Sequence, residues 1–389
     1  MDKKQKVKAA IIQSAKQAAE KKYGVLKKFE RETAQLNIFY HELTGKAKLA
    51  YHVDLLASQQ VTNNIIRHEF IIDADSGLVY QNWNALMSDT AITGPGGNTK
   101  TGQYHYGTDY LPLMGREQNN ICYLENEKVK AVNLNHSYDY YISDPFQFNC
   151  YENTFKAING AYSPINDAFY FGNIAFDMYQ DWYNTEPLPF KLSMKVHYGN
   201  SVDNAYWTGD SMLFGDGYQR FYPLVDVNVS VHEVSHGFTD FNSDLIYSEE
   251  SGGMNEAFSD IAGEAAEYYW KGEVDWLVGA DIYKSNGALR YFADPTLDGV
   301  SIKHTDNYYS GLNVHYSSGI YNHAFYLIAN TEGWNVKKAF DIFVLANQSY
   351  WVPNETFENG ACGVLEAARD LDYQWFDVYK AFTAVGVYC

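Results

Sequence analysis

The strongest chemical signal in the sequence is the segment His232-Glu-Val-Ser-His236. On a helix, side chains four positions apart lie one turn apart on the same face, so both imidazoles can bind one metal ion. Glu233 would then point toward a zinc-bound water, whose pKa zinc lowers to about 7, and could take its proton. The segment therefore predicts a zinc site in which Glu233 is the general base.

A second acidic segment, Asn255-Glu-Ala-Phe-Ser-Asp260, follows and strengthens this interpretation. Glu256 lies 20 residues after His236, which leaves room for a loop and a helix that returns to the metal. Three protein ligands leave one coordination position open, as a catalytic zinc requires. Asp260, one turn beyond Glu256, could accept the far N–H of a zinc-binding histidine and fix its tautomer.

Several segments resemble the thermolysin family of neutral metalloproteases, and most closely its pseudolysin and vibriolysin branch. The similar segments are residues 212–217, 224–239 and 252–267, and the segments 94–98 and 106–110 resemble the start of the mature enzymes. Residues 1–90 resemble the later, PepSY-type half of the propeptides. The resemblance implies a secreted zinc endopeptidase that is made as a zymogen, inhibited by its own propeptide and cut near residues 86–91. The first residues do not read as an export signal, so we expect the signal peptide to be absent from this sequence.

The resemblance also assigns catalytic roles to individual residues. Zinc would be held by His232, His236 and Glu256, and Tyr247 and His315 match the residues that stabilise the oxyanion of the tetrahedral intermediate. Hydrogen-bond donors aimed at that developing charge contribute several kcal/mol, of the order of 3, in a dry cleft. Asn313 departs from the pattern, because the pseudolysin branch has an aspartate there.

Substrate contacts follow from the same resemblance. Asn204 and Ala205 match the edge strand that holds an extended peptide, and Arg290 matches the side chain that binds a peptide carbonyl. The wall of the pocket for the residue after the scissile bond would be apolar: Phe221, Leu224, Val229, Ile282 and Leu289. We therefore expect a preference for a bulky hydrophobic residue at that position.

A calcium site is expected with one departure. The matching ligands are Glu264, Glu267, Asp275 and the carbonyl of Leu277, which are the hard oxygen donors that calcium prefers. The branch has an aspartate four residues before His232, and this sequence has Asn228. An amide brings no charge, so we expect either weaker calcium binding or a substitution by the nearby Asp226. The alternative is an acidic helix end that binds no ion.

The elements that must position these residues suggest an α+β fold with three regions. Residues 1–90 read as a small module, with a helix over 6–23 and strands near 48–54, 67–73 and 78–80. The glycine-rich segment 94–98 reads as a linker. Residues 91–230 form a strand-rich lobe and residues 231–389 a mainly helical lobe, with helices over 229–241, 254–270, 317–331, 335–349 and 373–384. We therefore expect the full chain to form a two-lobed, thermolysin-like protease preceded by a propeptide module.

Composition and charge exclude other classes. Of 389 residues, 46% are hydrophobic and the net charge is -19, which argues against disorder and against nucleic acid as a partner. Residues 1–90 carry a charge of +3 and residues 91–389 a charge of -22. No apolar run is long enough to cross a membrane. We expect a monomer that acts on proteins and peptides.

The four cysteines, Cys122, Cys150, Cys362 and Cys389, allow three pairings. Local pairing fits best, because each closed loop would contribute about 3 kcal/mol, and it matches the two disulfides of the branch. Disulfides favour an oxidising compartment, whereas four buried thiols would indicate the cytosol.

Two other functions stay open at this point. A zinc aminopeptidase also uses His-Glu-x-x-His and a distant glutamate, but its upstream Gly-x-Met-Glu-Asn segment is missing here. A catalytically inactive protein could bind or inhibit through its first 90 residues. The presence of Glu233, Tyr247 and His315 argues against inactivity.

Overall fold

The computed structural model describes residues 3–41, 46–60, 65–84 and 89–389. The chain divides into two compact units, residues 1–88 and 89–389. Part of the expected cleavage segment, residues 86–88, lies outside the described residues, and residues 89–91 lie in a strand. No helix among the described residues is both long and apolar enough to cross a membrane.

The first unit is one helix on an antiparallel sheet. Ile11, Ala15 and Ala19 lie four residues apart on the helix and pack against the sheet residues Val53 and Phe70. Gly24 ends the helix with a φ of +81°. The sequence predicted this helix and three of the strands, but not the first strand. In chain order the elements are α1 (Lys3–Tyr23), β1 (Leu26–His41), β2 (Lys46–Gln59), β3 (Ile65–Asp73) and β4 (Val79–Asn84), and the sheet has the order β1-β2-β3-β4.

The second unit begins with strands, as expected for a strand-rich lobe. Three of its sheets have the orders β11-β9-β8-β5, β6-β7 and β10-β12-β14-β13. The strands are β5 (Asp89–Ile92), β6 (Gly94–Asn98), β7 (Gly102–Tyr106), β8 (Leu113–Gln118), β9 (Ile121–Tyr123), β10 (Val129–Asn133), β11 (Gln147–Asn149), β12 (Leu192–Val196), β13 (Ala205–Trp207) and β14 (Ser211–Phe214). β13 lies at the edge of its sheet, so its outer backbone groups can pair with another strand.

The rest of the second unit is mainly helical, which confirms the expected fold class. The helices are α3 (Val227–Asp240), α4 (Glu249–Lys271), α5 (Val314–Ser317), α6 (Gly319–Ala329), α7 (Val336–Ser349), α8 (Phe357–Asp370) and α9 (Trp375–Ala384), and a short pair of strands, β15 (Leu277–Val278) and β16 (Arg290–Tyr291), follows α4. α3 and α4 pack against each other along their length, and both are largely buried.

The interpretation of residues 94–98 as a linker was wrong. They form β6, and all five residues are buried against β7 and Asp167. A Cβ atom on Gly96 would lie 2.3 Å from Asp167 Oδ1, and one on Gly97 would lie 2.4 Å from the Gly102 carbonyl. The glycines are therefore needed for close packing, because a side chain would not fit.

Two long helices were missed in the sequence. α2 (Pro164–Tyr183) lies in the region expected to be strands, and α8 lies between two predicted helices. Fourteen of the residues of α2 are buried. A helix buried on most faces has no continuous polar side, so the amphipathic pattern is weak. The two ends of α2 carry clearer sequence signals of a helix. Pro164 lies in the first turn, and Asn184 adopts the left-handed conformation at the C-cap.

Both disulfides join neighbouring cysteines. Cys122 is bonded to Cys150 and Cys362 to Cys389, as the spacing favoured. The first bond ties β9 to the segment that follows β11. The second ties α8 to the segment that follows α9.

Candidate active site and metal centres

Two histidines of α3 face one point. Asp226 caps the helix by accepting the N–H of Val229 at 2.7 Å, which fixes where the helix begins. One turn apart on this helix, His232 and His236 direct their Nε2 atoms toward each other at 3.1 Å. Glu233 lies between them in the sequence, is half-buried, and lines the adjacent cleft.

Glu256 on α4 completes the cluster. Its carboxylate oxygens lie 3.5 Å from His232 Nε2 and 3.4 Å from His236 Nε2, and the side chain is fully buried. Its Oε2 atom has no hydrogen-bond partner among the described residues. The ligand-forming atoms of the three residues all lie within 4.8 Å of one another. These are the three residues that the sequence assigned to zinc.

The far side of each imidazole has an acceptor. His232 Nδ1 lies 2.8 Å from Asp260 Oδ1, and His236 Nδ1 lies 2.7 Å from Asn255 Oδ1. These acceptors place the ring proton on Nδ1, which leaves the Nε2 lone pairs directed at each other and at a buried carboxylate. Such an arrangement is repulsive unless a cation lies between the three groups. The donor set therefore fits Zn²⁺, which prefers imidazole and carboxylate ligands. Asn255 was not assigned a role from the sequence.

Asp260 links the metal cluster to Arg290. It is fully buried and accepts two hydrogen bonds of 2.6 Å from the Nε and Nη2 atoms of Arg290, and a third of 2.8 Å from Asn322. Burial alone would raise the pKa of Asp260, but Arg290 and His232 hold it well below its usual value. Asp260 occupies the Nε and Nη2 edge of the Arg290 guanidinium, so this edge is not available to the peptide carbonyl that Arg290 is expected to bind. Only its remaining N–H groups can reach a substrate.

Tyr247 and His315 also contact the carboxylate of Glu256. The Tyr247 hydroxyl donates a short hydrogen bond to Glu256 Oε1 and lies 3.4 Å from His315 Nε2. Burial and the nearby Glu256 raise the pKa of Tyr247, so its hydroxyl stays protonated and can donate. Asn313 Oδ1 accepts from His315 Nδ1 at 2.9 Å and orients the ring. The two proposed oxyanion donors therefore converge beside the metal cluster.

These groups line a cleft of about 1140 Å³. β13, the edge strand of its sheet, forms one rim, and Asn204 and Ala205 are part of the lining. The lining also contains apolar residues near the start of α3 and around β15 and β16: Leu224, Val229, Val278, Ala288 and Leu289. The cleft thus combines an edge strand, a metal cluster and an apolar pocket.

Two residues assigned to the pocket wall do not line the cleft. Phe221 and Ile282 are buried behind it, because the chain there forms a bridge between Phe221 and Tyr283. The Phe221 ring packs on the Tyr283 ring, with centroids 5.5 Å apart, and Tyr222 donates its N–H to the Ile282 carbonyl. Val278 and Ala288 take their place in the wall, and no local pattern in the sequence indicates either of them.

A second acidic cluster follows α4. Ligand-forming atoms of Glu264, Glu267 and Asp275 lie within 4.8 Å of one another. Burial and mutual repulsion raise the pKa of Glu264 well above its usual value and that of Asp275 to about 6. The Asn228 amide nitrogen lies 3.4 Å from Glu264 Oε1. The oxygen-rich, negatively charged donor set fits Ca²⁺.

Asp226 is not one of the three converging carboxylates of this cluster. Its Oδ1 atom caps α3, and its side chain lines a small pocket with Trp270, Lys271 and Asp281. The other expected ligand, Leu277, begins β15 and donates its N–H to Asp275 at 2.8 Å.

Comparisons with known proteins agree with this geometry. Residues 99–240 match the family described as thermolysin metallopeptidase, catalytic domain, and residues 243–387 match its alpha-helical domain. A neutral protease of Vibrio proteolyticus is 55% identical over 92% of this chain, and the chain spans 59% of that relative's length. The zinc metalloproteinase MspA of Legionella longbeachae is 40% identical over 97% of this chain and 75% of its own length.

A solved structure is also similar. The precursor of protealysin, a metalloproteinase from Serratia proteamaculans, superimposes with a TM-score of 0.58 at 25% identity. The match covers 67% of this chain and 87% of that chain.

Proposed function

Because the chain belongs to the thermolysin metallopeptidase family, we propose that it is a zinc-dependent endopeptidase of the vibriolysin branch. The observation that carries the proposal is the convergence of two imidazole lone pairs and a buried carboxylate at one point of a long cleft. Two disulfides support an oxidising, extracellular location.

The proposed reaction divides among residues of the cleft. Zinc, when held by His232, His236 and Glu256, supplies Lewis-acid polarisation and a lowered pKa for water. Glu233 takes the proton of the attacking water while the water oxygen bonds to the scissile carbonyl carbon. Tyr247 then donates a hydrogen bond to the carbonyl oxygen as its charge develops, and His315 does so when its ring carries both protons. Glu233 returns the proton to the departing amine as the C–N bond breaks.

Substrate binding follows from the cleft walls. An extended peptide would pair with the edge of β13, and the free N–H groups of Arg290 and the side chain of Asn204 would fix its position. The apolar pocket would hold a bulky hydrophobic residue just after the scissile bond.

Metal removal tests the proposal directly. A chelator should abolish cleavage of an end-blocked peptide with Leu after the scissile bond, and added zinc should restore it. Mass spectrometry of the products gives the bond that is cut. End-blocked substrates also exclude an aminopeptidase, and a zinc-loaded protein that cuts no peptide would contradict the proposal in favour of a binding or inhibitory protein.

The Leu224→Asp variant tests the pocket. Leu224 is buried in the pocket wall. A carboxylate there should lower kcat/KM for peptides with Leu after the scissile bond by about 10- to 100-fold, because an apolar side chain would face a charge. Peptides with Ala at that position should lose less. An unchanged pattern of cleavage sites in casein would refute the assignment.

We further propose that the acidic cluster of Glu264, Glu267 and Asp275 binds calcium with Asn228 beside it. Asn228→Asp adds a negative charge next to Glu264 and should tighten calcium binding by about tenfold, because calcium affinity follows ligand charge. The melting temperature at saturating calcium should then rise. Asn242→Asp, an exposed position near the end of α3, is the matched control. Equal calcium affinity in the two variants would show that Asn228 does not belong to the calcium site.

The first unit is proposed to be a propeptide that inhibits the enzyme. The proposal is supported by the similarity to a protealysin precursor and by the opposite charges of residues 1–90 and 91–389. N-terminal sequencing of the mature protein should then find a new terminus near residues 86–91.

A further inference from the structure

Three tyrosine rings lie in a line that begins at the cleft. The Tyr206 and Tyr198 rings are 6.1 Å apart, and the Tyr198 and Tyr138 rings 5.5 Å apart, both in edge-to-face contact. Tyr206 is 40% exposed and Tyr138 is 59% exposed. We call Tyr206, Tyr198 and Tyr138 the tyrosine row. A solvent-facing line of large aromatic rings is unusual unless it contacts another molecule.

A small cluster of buried apolar side chains supports the tyrosine row. Tyr206 pairs with Leu213 across β13 and β14, and Leu213, Val132 and Leu134 form a small buried cluster against which Tyr198 packs. The row therefore lies on the face of this sheet that carries Leu213, Val132 and Leu134, and we call this the outer face.

Tyr138 is fixed by the loop that follows β12. A Cβ atom on Gly199 would lie 2.5 Å from the Tyr138 ring, so the ring packs directly on the glycine backbone. The N–H of Asn200 donates to the Tyr138 hydroxyl at 3.3 Å. The buried Lys195 donates to the carbonyl of Tyr140 at 2.5 Å and anchors the segment that carries Tyr138. A ring fixed in this way loses little entropy on binding a partner.

The row is continuous with the proposed substrate strand. Tyr206 lies in β13 and lines the cleft together with Ala205 and Trp207. Side chains of an extended peptide paired with β13 alternate between the two faces of the sheet. If the residue after the scissile bond enters the apolar pocket near α3, the first and third residues before the bond lie on the outer face, beside the row.

We propose that the tyrosine row extends the substrate-binding surface and selects polypeptides with bulky apolar side chains before the scissile bond, the third residue above all. The inference rests on the proposed peptidase function. Its occupant is the substrate chain itself, because the row starts at the strand that the substrate would join. Aromatic surface that is already rigid and partly exposed favours large apolar partners, since they bury the most area there.

The experiment uses three end-blocked fluorogenic substrates. Two hexapeptides differ only in Phe or Ser at the third position before the scissile bond, and a blocked dipeptide is too short to reach beyond Tyr206. Tyr138→Ala is the test variant. Tyr141→Ala is the matched control, because Tyr141 is a more exposed tyrosine of the same segment, 78% exposed, outside the row. Circular dichroism verifies that both variants fold.

Tyr138→Ala should raise KM for the Phe peptide about 5- to 20-fold with kcat nearly unchanged, a size typical of one lost aromatic contact. Hydrolysis of the Ser peptide and the dipeptide should change less than twofold, and Tyr141→Ala should match the wild type throughout. An unchanged Phe-to-Ser ratio in Tyr138→Ala would overturn the inference. A wild-type protein that hydrolyses none of the three would instead refute the peptidase function.

Discussion

Glu233→Gln is expected to lower kcat for peptide hydrolysis by about 10²- to 10⁴-fold, the usual contribution of a general base. The amide keeps the shape and hydrogen-bonding capacity of the side chain but cannot accept a proton from water. Because Glu233 is not one of the three converging ligands, the variant should bind zinc as well as the wild type does. Self-processing near residues 86–91 should stop as well, if the protein cuts its own chain.

Asp240→Asn is the matched control for the loss of one carboxylate from the cleft. Asp240 lies on the same helix, also lines the cleft and accepts a hydrogen bond of 3.1 Å from Trp207. It is not one of the converging ligands, so its replacement should cost less than tenfold in kcat. Zinc content by atomic absorption and stopped-flow rates should be measured on the same samples. A Glu233→Gln protein that contains zinc and retains wild-type kcat would exclude Glu233 as the base.

Asp260→Asn should produce the second large effect, on both stability and zinc binding. Asp260 is fully buried and holds the guanidinium of Arg290, the ring of His232 and the amide of Asn322. Removing its charge leaves the largely buried Arg290 guanidinium without its paired carboxylate, which costs about 3–5 kcal/mol of unfolding free energy. His232 also loses the partner that fixes its tautomer, so zinc affinity should fall by about 10- to 100-fold.

Asp341→Asn provides the comparison. Asp341 is also largely buried in the second unit, but its partner Lys337 is one turn away on the same helix and 39% exposed, so the ion pair contributes little. Denaturant unfolding of the zinc-free proteins measures stability, and competition with a fluorescent chelator measures zinc affinity. Equal losses in the two variants would show that Asp260 has no special role.

The metal cluster could be predicted from the sequence because its geometry depends on local spacing. The spacing of His232 and His236 is one helical turn, and the separation of Glu256 from His236 fits one loop and one helix. Asp260 followed for the same reason. Asn255 and Asn322 reach the site only through the packing of α4 on α3 and α6, and no spacing in the sequence indicates that.

Other errors arose where one pattern has two physical meanings. The glycines of residues 94–98 permit flexibility in a linker and close approach in a core, and here they permit the approach of Asp167. Phe221 and Ile282 are as hydrophobic as the residues of the pocket wall, but hydrophobicity does not distinguish a wall from the core behind it. The bridge between Phe221 and Tyr283 keeps Phe221 and the neighbouring Ile282 in the core. It depends on contacts between residues that are distant in sequence.

If the protein is the proposed peptidase, the disulfide between Cys122 and Cys150 has a consequence when copies of the protein cut one another. The exposed segment that carries Tyr138 and Tyr141 lies between the two cysteines. A single autolytic nick in that segment would leave both pieces covalently joined, each still held by its own strand, β10 or β11. Such nicked molecules would migrate as intact protein on a gel until a reductant separates them. The bond thus allows this exposed segment to be cut without either piece being lost.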